Sequence, residues 1–379
     1  MKIYKFIITG LLLITFACDK QYIDDITPVD QGPDTESPSV DVKSPSDLVN
    51  IPFTENQTDL TINFEVIDDI ETESITVSLD GEQLATYDNF TDYRIFEETI
   101  TVEDVGLGEY NLVVSATDLS GKTTTEEVDF TVTNEYVPLD GEIFYMPFEG
   151  ESFLELISET NGTASGQVTF EDGPAFDAAQ YDGSAESYVL FDETADIADV
   201  TNFSISFWSY VEFIDEDDND EIDGVIGLVN LSNTSSFWGN VDIFIENGSG
   251  PTDGANMRIH VTNDDAETWI EYNNVTGIFD SWAHHVITYD NVAKEFKYYI
   301  NNSLELTTNA DWDDDLNFQN AGPLVMGTVQ FQTDPSLTTA TDSQTWASYL
   351  TGNLDEVKIF NIALSDTRVE ELYNMGNPQ

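Results

Sequence analysis

From about Val40 onward the chain is built of short runs in which apolar and polar residues alternate. Leu60-Thr-Ile62-Asn-Phe64-Glu-Val66, Ile75-Thr-Val77-Ser-Leu79 and Tyr110-Asn-Leu112-Val-Val114 are examples. Successive side chains of a strand point to opposite faces, so period-two alternation marks strands with one buried face. Turn signals cut the runs at Asp80-Gly81, Gly106-Leu-Gly108 and Asp118-Leu-Ser-Gly121. Asp-Gly between alternating runs favours a two-residue hairpin, because both residues tolerate positive φ. Helical patterning is nearly absent until the last fifteen residues. The chain is thereby confined to all-β architectures, and its 379 residues allow about two domains.

The strand spacing from 40 to 134 predicts a small immunoglobulin-like sandwich. Its stretch Gly108-Glu-Tyr110-Asn-Leu112-Val-Val-Ser-Ala116-Thr-Asp118-Leu-Ser-Gly121-Lys resembles the penultimate hairpin of bacterial Ig-like and fibronectin-III-like modules. The resemblance implies a spacer.

Composition narrows the partners. Asp and Glu number 74 against 11 Lys and Arg, a formal charge of −63. A nucleic-acid reader needs a basic footprint to displace counterions, so nucleic acid is excluded as a partner, and polyanionic surfaces are disfavoured. Divalent cations and neutral ligands are not. One cysteine rules out an intramolecular disulfide framework and a Cys-based zinc site. His260, His284 and His285 are the only histidines, which leaves acid–base and metal schemes few residues to use.

Residues 1–18 have a different character: Lys2 and Lys5, then an apolar run from Phe6 to Phe16. A basic start and an apolar stretch too short to span a bilayer read as an export signal. It ends in Leu13-Ile14-Thr15-Phe16-Ala17-Cys18, which resembles the lipobox of bacterial lipoproteins and implies acylation of Cys18. Residues 19–46 are rich in Pro, Asp and Ser and read as a disordered acidic tether. The membrane is reached only through the lipid anchor.

Residues 136–379 carry longer, more aromatic strands, consistent with two large sheets. Seven blocks recur in a familiar order: Phe144-Tyr-Met-Pro-Phe148-Glu-Gly150; Ala179 to Leu190; Asn202 to Trp208; Ser281 to Asp290; Lys297 to Asn302; Gly322 to Gly327; Thr351 to Ser365. Together they resemble the laminin-G-like, concanavalin A-like jelly roll of bacterial surface proteins. The resemblance implies a jelly-roll sandwich closed by a short C-terminal helix. Asn301-Asn302 replaces the usual Asn-Gly turn, and Ser365-Asp366 begins the helix without a complete capping box.

The same sandwich hosts glucanases, which place carboxylates at alternating positions of one strand. Asp220-Glu221-Ile222-Asp223-Gly224-Val225-Ile226 begins like that motif but lacks the last carboxylate. Asp355 and Glu356, as neighbours on a strand, are expected on opposite faces, as are His284 and His285. No catalytic residue is assigned, and each histidine is expected to be a hydrogen-bonded strand residue. The acidic run Asp215–Asp223 lacks the glycine and terminal Glu of a calcium loop and reads as a solvated loop. The resemblance instead implies one structural calcium ion, with Glu149, Asp182 and Asp355 as its carboxylates.

Sugar rings have apolar C–H faces that pack on aromatic rings. Trp208 and Trp282 open or close strand blocks and read as core, while Trp269 fits either class. Trp238, Trp312, Trp346 and Tyr349 stand among polar residues in loops and are the candidate ligand-binding residues. The expected protein is a non-catalytic lipoprotein on the outer-membrane surface of a Gram-negative cell. It binds carbohydrate through the jelly roll and works beside glycan-uptake proteins. An adhesin with a protein partner is the alternative, and a divergent glycan-active enzyme the third reading.

Overall fold

The computed structural model describes residues 33–192, 194–213, 224–246 and 255–376. Cys18, the export signal, the tether up to residue 32 and the acidic run Asp215–Asp223 lie outside the described residues. Two compact units divide the chain: Asn134 onward forms the second together with the short segment Pro52–Glu55, and the residues up to Thr133 otherwise form the first.

The first unit is a sandwich of a three-stranded and a five-stranded sheet. Ser39–Ser44, Gln57–Ile67 and Ile95–Gly106 form the smaller sheet. Leu48–Asn50, Thr123–Thr133, Gly108–Asp118, Thr72–Leu79 and Glu82–Tyr87 form the larger. The alternating residues supply the core: Ile62, Phe64, Val66, Ile75, Val77, Leu112 and Val114 are all buried. Asp80 and Gly81 both take positive φ, 50° and 79°, as their hairpin requires. The Tyr110 hydroxyl donates to the Gly106 carbonyl at 2.9 Å. One boundary needs correction. Ser39–Ser44 pairs with Gln57–Ile67, so the folded sandwich begins within the stretch assigned to the tether, whose Val40 and Val42 pack on the core.

The second unit consists of two eight-stranded sheets. One runs Thr163–Ser165, Tyr188–Phe191, Ala321–Met326, Val225–Asn233, Val241–Glu246, Ala255–Asn263, Ala266–Val275, with Ala347–Ser348 added parallel to Val225–Asn233. The other runs Val168–Gly173, Phe176–Tyr181, Gly352–Phe360, Phe203–Val211, Trp282–Asp290, Glu295–Ile300, Ser303–Asn309, with Glu142–Met146 added beside Gly352–Phe360. Their facing residues make one large core, including Phe144, Phe203, Phe207, Ile243, Ile259, Ile287 and Tyr298. Fully burying one such side chain contributes about 1.5–3 kcal/mol.

The second sheet's other face is closed by the helix Asp366–Gly376. Val286, Tyr299 and Phe360 point to that face and meet Leu364, Val369 and Leu372. Ser365 starts the helix as expected: its carbonyl accepts from Val369 N at 3.0 Å and its hydroxyl from Arg368 N at 3.4 Å. Asn301 and Asn302 both hold positive φ in the hairpin before Ser303.

An aromatic face on the first sheet of the second unit

Strands Val241–Glu246, Ala255–Asn263 and Ala266–Val275 turn Ile243, Ile259 and Ile270 into the core. Their alternate residues take the opposite face. The register lines up Asp242, His260 and Trp269 in one row, and Phe244, Arg258 and Glu271 in the next. Phe244 joins Val225, Val329 and Phe331 in a separate cluster on which Phe237, Trp238, Trp269 and Ala347 pack.

The rings in this cluster have a definite arrangement. Trp238 lies flat on Phe244, 5.2 Å away with 2° between the planes. Trp269 stands nearly perpendicular to Trp238 at 5.5 Å, and Phe331 stands at 68° at the same separation. Phe237 contacts both Trp238 and Phe331. Trp346 packs its ring 5.4 Å from Phe331 yet stays 43% exposed. With one indole face on Phe244, Trp238 has only its other face to present, and it is half-buried. Three tryptophans and three phenylalanines from five chain segments thus share one patch.

Hydrogen bonds fix the loops that carry them. The Gln330 side-chain amide donates to the carbonyls of Ser236 and Phe237 at 2.9 and 2.8 Å, and its oxygen accepts from Asn233 N. Asn240 ties the same loop to Ser232 and Gln319. Trp346 is held by its backbone, whose carbonyl accepts from Val225 N at 3.1 Å. Gly224, at φ 82°, makes that approach possible: a Cβ there would stand 2.8 Å from Ser348 Oγ. Gln332 adds a bond to the Ala347 carbonyl.

Under the rings lies a polar row. His260 is buried, its ring 4.3 Å from that of Trp269. Its Nδ1 faces Asp242 Oδ2 at 3.2 Å and its Nε2 faces Glu267 Oε2 at 3.0 Å. Asp242 is wholly buried, whereas the Glu267 side chain is 57% exposed. Burial pushes the Asp242 carboxyl up and His260 opposes that shift. Its Oδ1 finds no hydrogen-bond partner, and the nearby Gly239 amide offsets the charge only in part.

Of the four aromatic candidates, the structure brings Trp238 and Trp346 together. Trp312 is elsewhere: 7% exposed, it packs in the shared core on Tyr289 and Phe296, and its Nε1 donates to Tyr289 Oη at 2.8 Å. That corrects its assignment to a ligand-contacting loop. Tyr349 pairs with Tyr188 and donates to the Gln332 carbonyl at 2.6 Å, so it braces the segment carrying Trp346. Trp208 is buried and packs against both His284 and Tyr373, which also touch each other.

The proposed calcium carboxylates do not converge. Asp182 accepts from Ser184 N and Oγ, at 2.9 and 2.6 Å, and caps a short helical turn. Asp355 accepts from Ala175 N and Glu356 N, at 3.2 and 2.7 Å. Glu149 accepts weakly from Asp177 N at 3.3 Å. Among the described residues no three His, Cys, Asp or Glu side chains are arranged to hold a metal ion. Glu149 does add, as the smallest contribution, to the raised pKa of Asp355. Burial, then Glu356, pushes Asp355 up to about 9, and burial, with like charge from Asp177 and Glu356, pushes Glu149 up to about 7.

The strand reading of Asp355 and Glu356 also needs correction. Glu356 has φ 52°, and the pairing with Phe203–Val211 shifts register there. A bulge breaks the alternation, so Asp355 and Glu356 are not strand neighbours on opposite faces. Glu356 is bonded instead by Tyr145 Oη and by Lys358 Nζ at 2.7 Å. The histidines do take opposite faces. His285 bonds Ser209 and Tyr298 inside the core, and His284 bonds Ser206 on the helix side. Burial lowers both to about 3.

Sequence reasoning missed Phe237, Phe331 and the Asp242–His260–Glu267 row. The last had a signal: Asp242, His260 and Glu267 each occupy the polar phase of an alternating strand, but the register is needed to put Asp242 beside His260, and only the side-chain hydrogen bond joins His260 to Glu267.

Residues 182–370 match the profile of a family described as the concanavalin A-like lectin/glucanases superfamily. No curated protein matches the chain. Among solved structures, the binding domain of botulinum neurotoxin serotype C1 aligns at TM-score 0.47 and 16% identity, over 63% of this chain and 52% of that one. The binding domain of botulinum neurotoxin DC, in complex with rat synaptotagmin II, aligns at 0.45 and 15%, over 62% and 52%. Domain 4 of AbnA, an extracellular arabinanase from Geobacillus stearothermophilus in complex with arabinotriose, aligns at 0.41 and 17%, over 62% and 100%. The chain spans about half the length of the neurotoxin domains. With the family match, the second unit contains a concanavalin A-like jelly roll, and the described residues form an all-β fold with a short C-terminal helix.

Proposed function

We propose that the second unit is a non-catalytic carbohydrate-binding module and that Trp238, Trp269 and Trp346 form its platform. The observation that carries this reading is the gathering of these rings, from separate segments, on one sheet face with Trp346 left 43% exposed. Aromatic rings held rigidly by backbone hydrogen bonds suit the C–H faces of sugars, because little side-chain freedom remains to be lost on binding. Glycoside hydrolysis needs two accessible carboxyls flanking the scissile bond. On this face Asp242 is buried and shares His260 with Glu267, which supports a binding rather than a hydrolytic role.

The rest of the chain serves display. Acylated Cys18 anchors the protein in the outer membrane, and the tether and first sandwich hold the module away from the surface. The Tyr110-to-Gly106 bond resembles the tyrosine corner of immunoglobulin-like sandwiches and supports that assignment for the first unit. The module then captures neutral oligosaccharide for neighbouring uptake proteins. A glycan array probed with residues 19–379 tests the reading. Discrete binding to one linkage family, lost in Trp346→Ala, is expected. An array of plant, algal and host glycans that stays blank refutes it.

A further inference from the structure

We propose that Glu267 is the specificity-determining polar residue of the aromatic face, and that Asp242 and His260 are positioning residues that hold it. The inference rests on the saccharide-binding reading. A sugar stacked on an indole keeps its hydroxyls at the ring's rim, and each hydroxyl leaving water needs a partner. Glu267 stands two residues from Trp269 on the same strand and the same face. One of its oxygens is bonded to His260 Nε2, and the described residues give Oε1 no partner. A carboxylate oxygen of this kind accepts from sugar hydroxyls. Arg258, the other charged group reaching this face from the middle strand, is already committed to Glu246 at 2.7 Å.

The arrangement behind Glu267 is poor as a stabilising device. Asp242 is wholly buried with one oxygen short of a partner, and a buried carboxyl group seldom repays its desolvation. Its effect at the surface is distinct. Asp242 fixes the imidazole of His260 through Nδ1, His260 lies against the Trp269 ring, and Nε2 fixes Glu267. An exposed glutamate ordinarily samples many rotamers. Here that freedom is removed before any saccharide arrives, and the carboxylate is set in register with the neighbouring indole.

The test uses soluble residues 19–379 titrated calorimetrically with laminaritriose, mannotriose and arabinotriose, then with monodeoxy derivatives of whichever binds. Glu267→Gln, at an exposed position, is expected to weaken binding by roughly tenfold or more. His260→Gln and Asp242→Asn should do the same although the Glu267 carboxylate remains. The deoxy derivative that costs the native protein about tenfold should cost Glu267→Gln almost nothing more, the signature of a direct pair in a double-mutant cycle. Unchanged affinity in Glu267→Gln, with Trp346→Ala still defective, overturns the inference and leaves the binding reading standing. Loss in Glu267→Gln without loss in folded His260→Gln overturns the positioning role. Absence of binding by the native protein to all three sugars, together with a blank array, removes both.

Discussion

Asp355→Asn should stabilise the second unit at neutral pH, and by an amount that shrinks on acidification. Asp355 is fully buried, and the hairpin tip at Gly173–Ala175 lies on it so closely that a Cβ at residue 173 would sit 2.6 Å from Oδ2. Its carboxyl is raised from the ordinary 3.8 to about 9, mainly by burial and then by Glu356. The folded protein thus retains a proton that the unfolded chain has lost, and stability falls as pH rises from about 4 toward 9. At about 1.4 kcal/mol per pH unit, the cost accumulated by pH 7 is of the order of 4 kcal/mol as an upper figure. Asparagine removes that cost, but its amide nitrogen meets one of the two N–H donors, returning about 1–3 kcal/mol. A net gain of about 1–3 kcal/mol, or roughly 2–12 °C for a unit of this size, follows at pH 7. The pH dependence isolates the charge, because the lost hydrogen bond does not titrate. Between pH 7 and pH 5 the mutant's advantage over the native protein should fall by about 2–3 kcal/mol. All six tryptophans lie in the second unit, so tryptophan fluorescence during urea or thermal unfolding reports on that unit. A mutant advantage that stays constant across this range would refute the buried-proton reasoning, whatever its size at pH 7.

Two further outcomes separate core from platform and locate the acid limit. Trp312→Ala should cost about 3–5 kcal/mol in urea unfolding, because a buried ring and its bond to Tyr289 are lost, while affinity for any array hit is retained. Weaker binding at unchanged stability would return Trp312 to the ligand face. His284 and His285 are kept neutral in the fold, near 3, but take up protons in the unfolded chain below about 6.5. Each therefore withdraws stability as pH falls from 6.5 toward 3, by about 2 kcal/mol at pH 5. His285→Gln should flatten that decline in a fluorescence-monitored pH series, and an unchanged slope would contradict it.

What was legible in the sequence was local. Alternation at Ile62, Phe64 and Val66, or at Ile75 and Val77, is a property of consecutive residues, and each of these side chains is buried as the pattern requires. The Asp80-Gly81 and Asn301-Asn302 turns are equally local, since their positive φ values are intrinsic preferences. Trp312 misled because polarity was read from its neighbours. Asp313 and Asp314 face solvent, yet the one large ring among them plugs the core end beside Tyr289. Glu356 misled for another reason: a bulge adds one residue to a strand without altering its composition, and shifts the side-chain phase from there on. Nor does the order of residues show that Asp182 is committed to its own turn and does not join Glu149 and Asp355 in one cluster.

The two sheet faces that point away from the shared core meet the same physical problem and solve it differently. Val286, Tyr299 and Phe360 would expose a contiguous apolar surface, and Leu364 together with Val369 and Leu372 of the terminal helix covers them. Phe244 and Trp269 on the other sheet receive no helix among the described residues. Loops bring Trp238, Phe331 and Trp346 to them, so the apolar area is shielded by a buried Phe331 and by two indoles, Trp238 and Trp346, that remain part-exposed. A cover of aliphatic side chains would have served stability as well. Rings add something aliphatics lack: a flat apolar face and a polarised edge, suited to a ligand that is apolar on its faces and hydroxylated at its rim. Beneath them the sheet keeps Asp242 and His260, which a purely structural cover would replace with apolar residues. The cost of retaining those groups, in a chain already carrying −63, is accounted for if the face works as a recognition surface for an uncharged polyol.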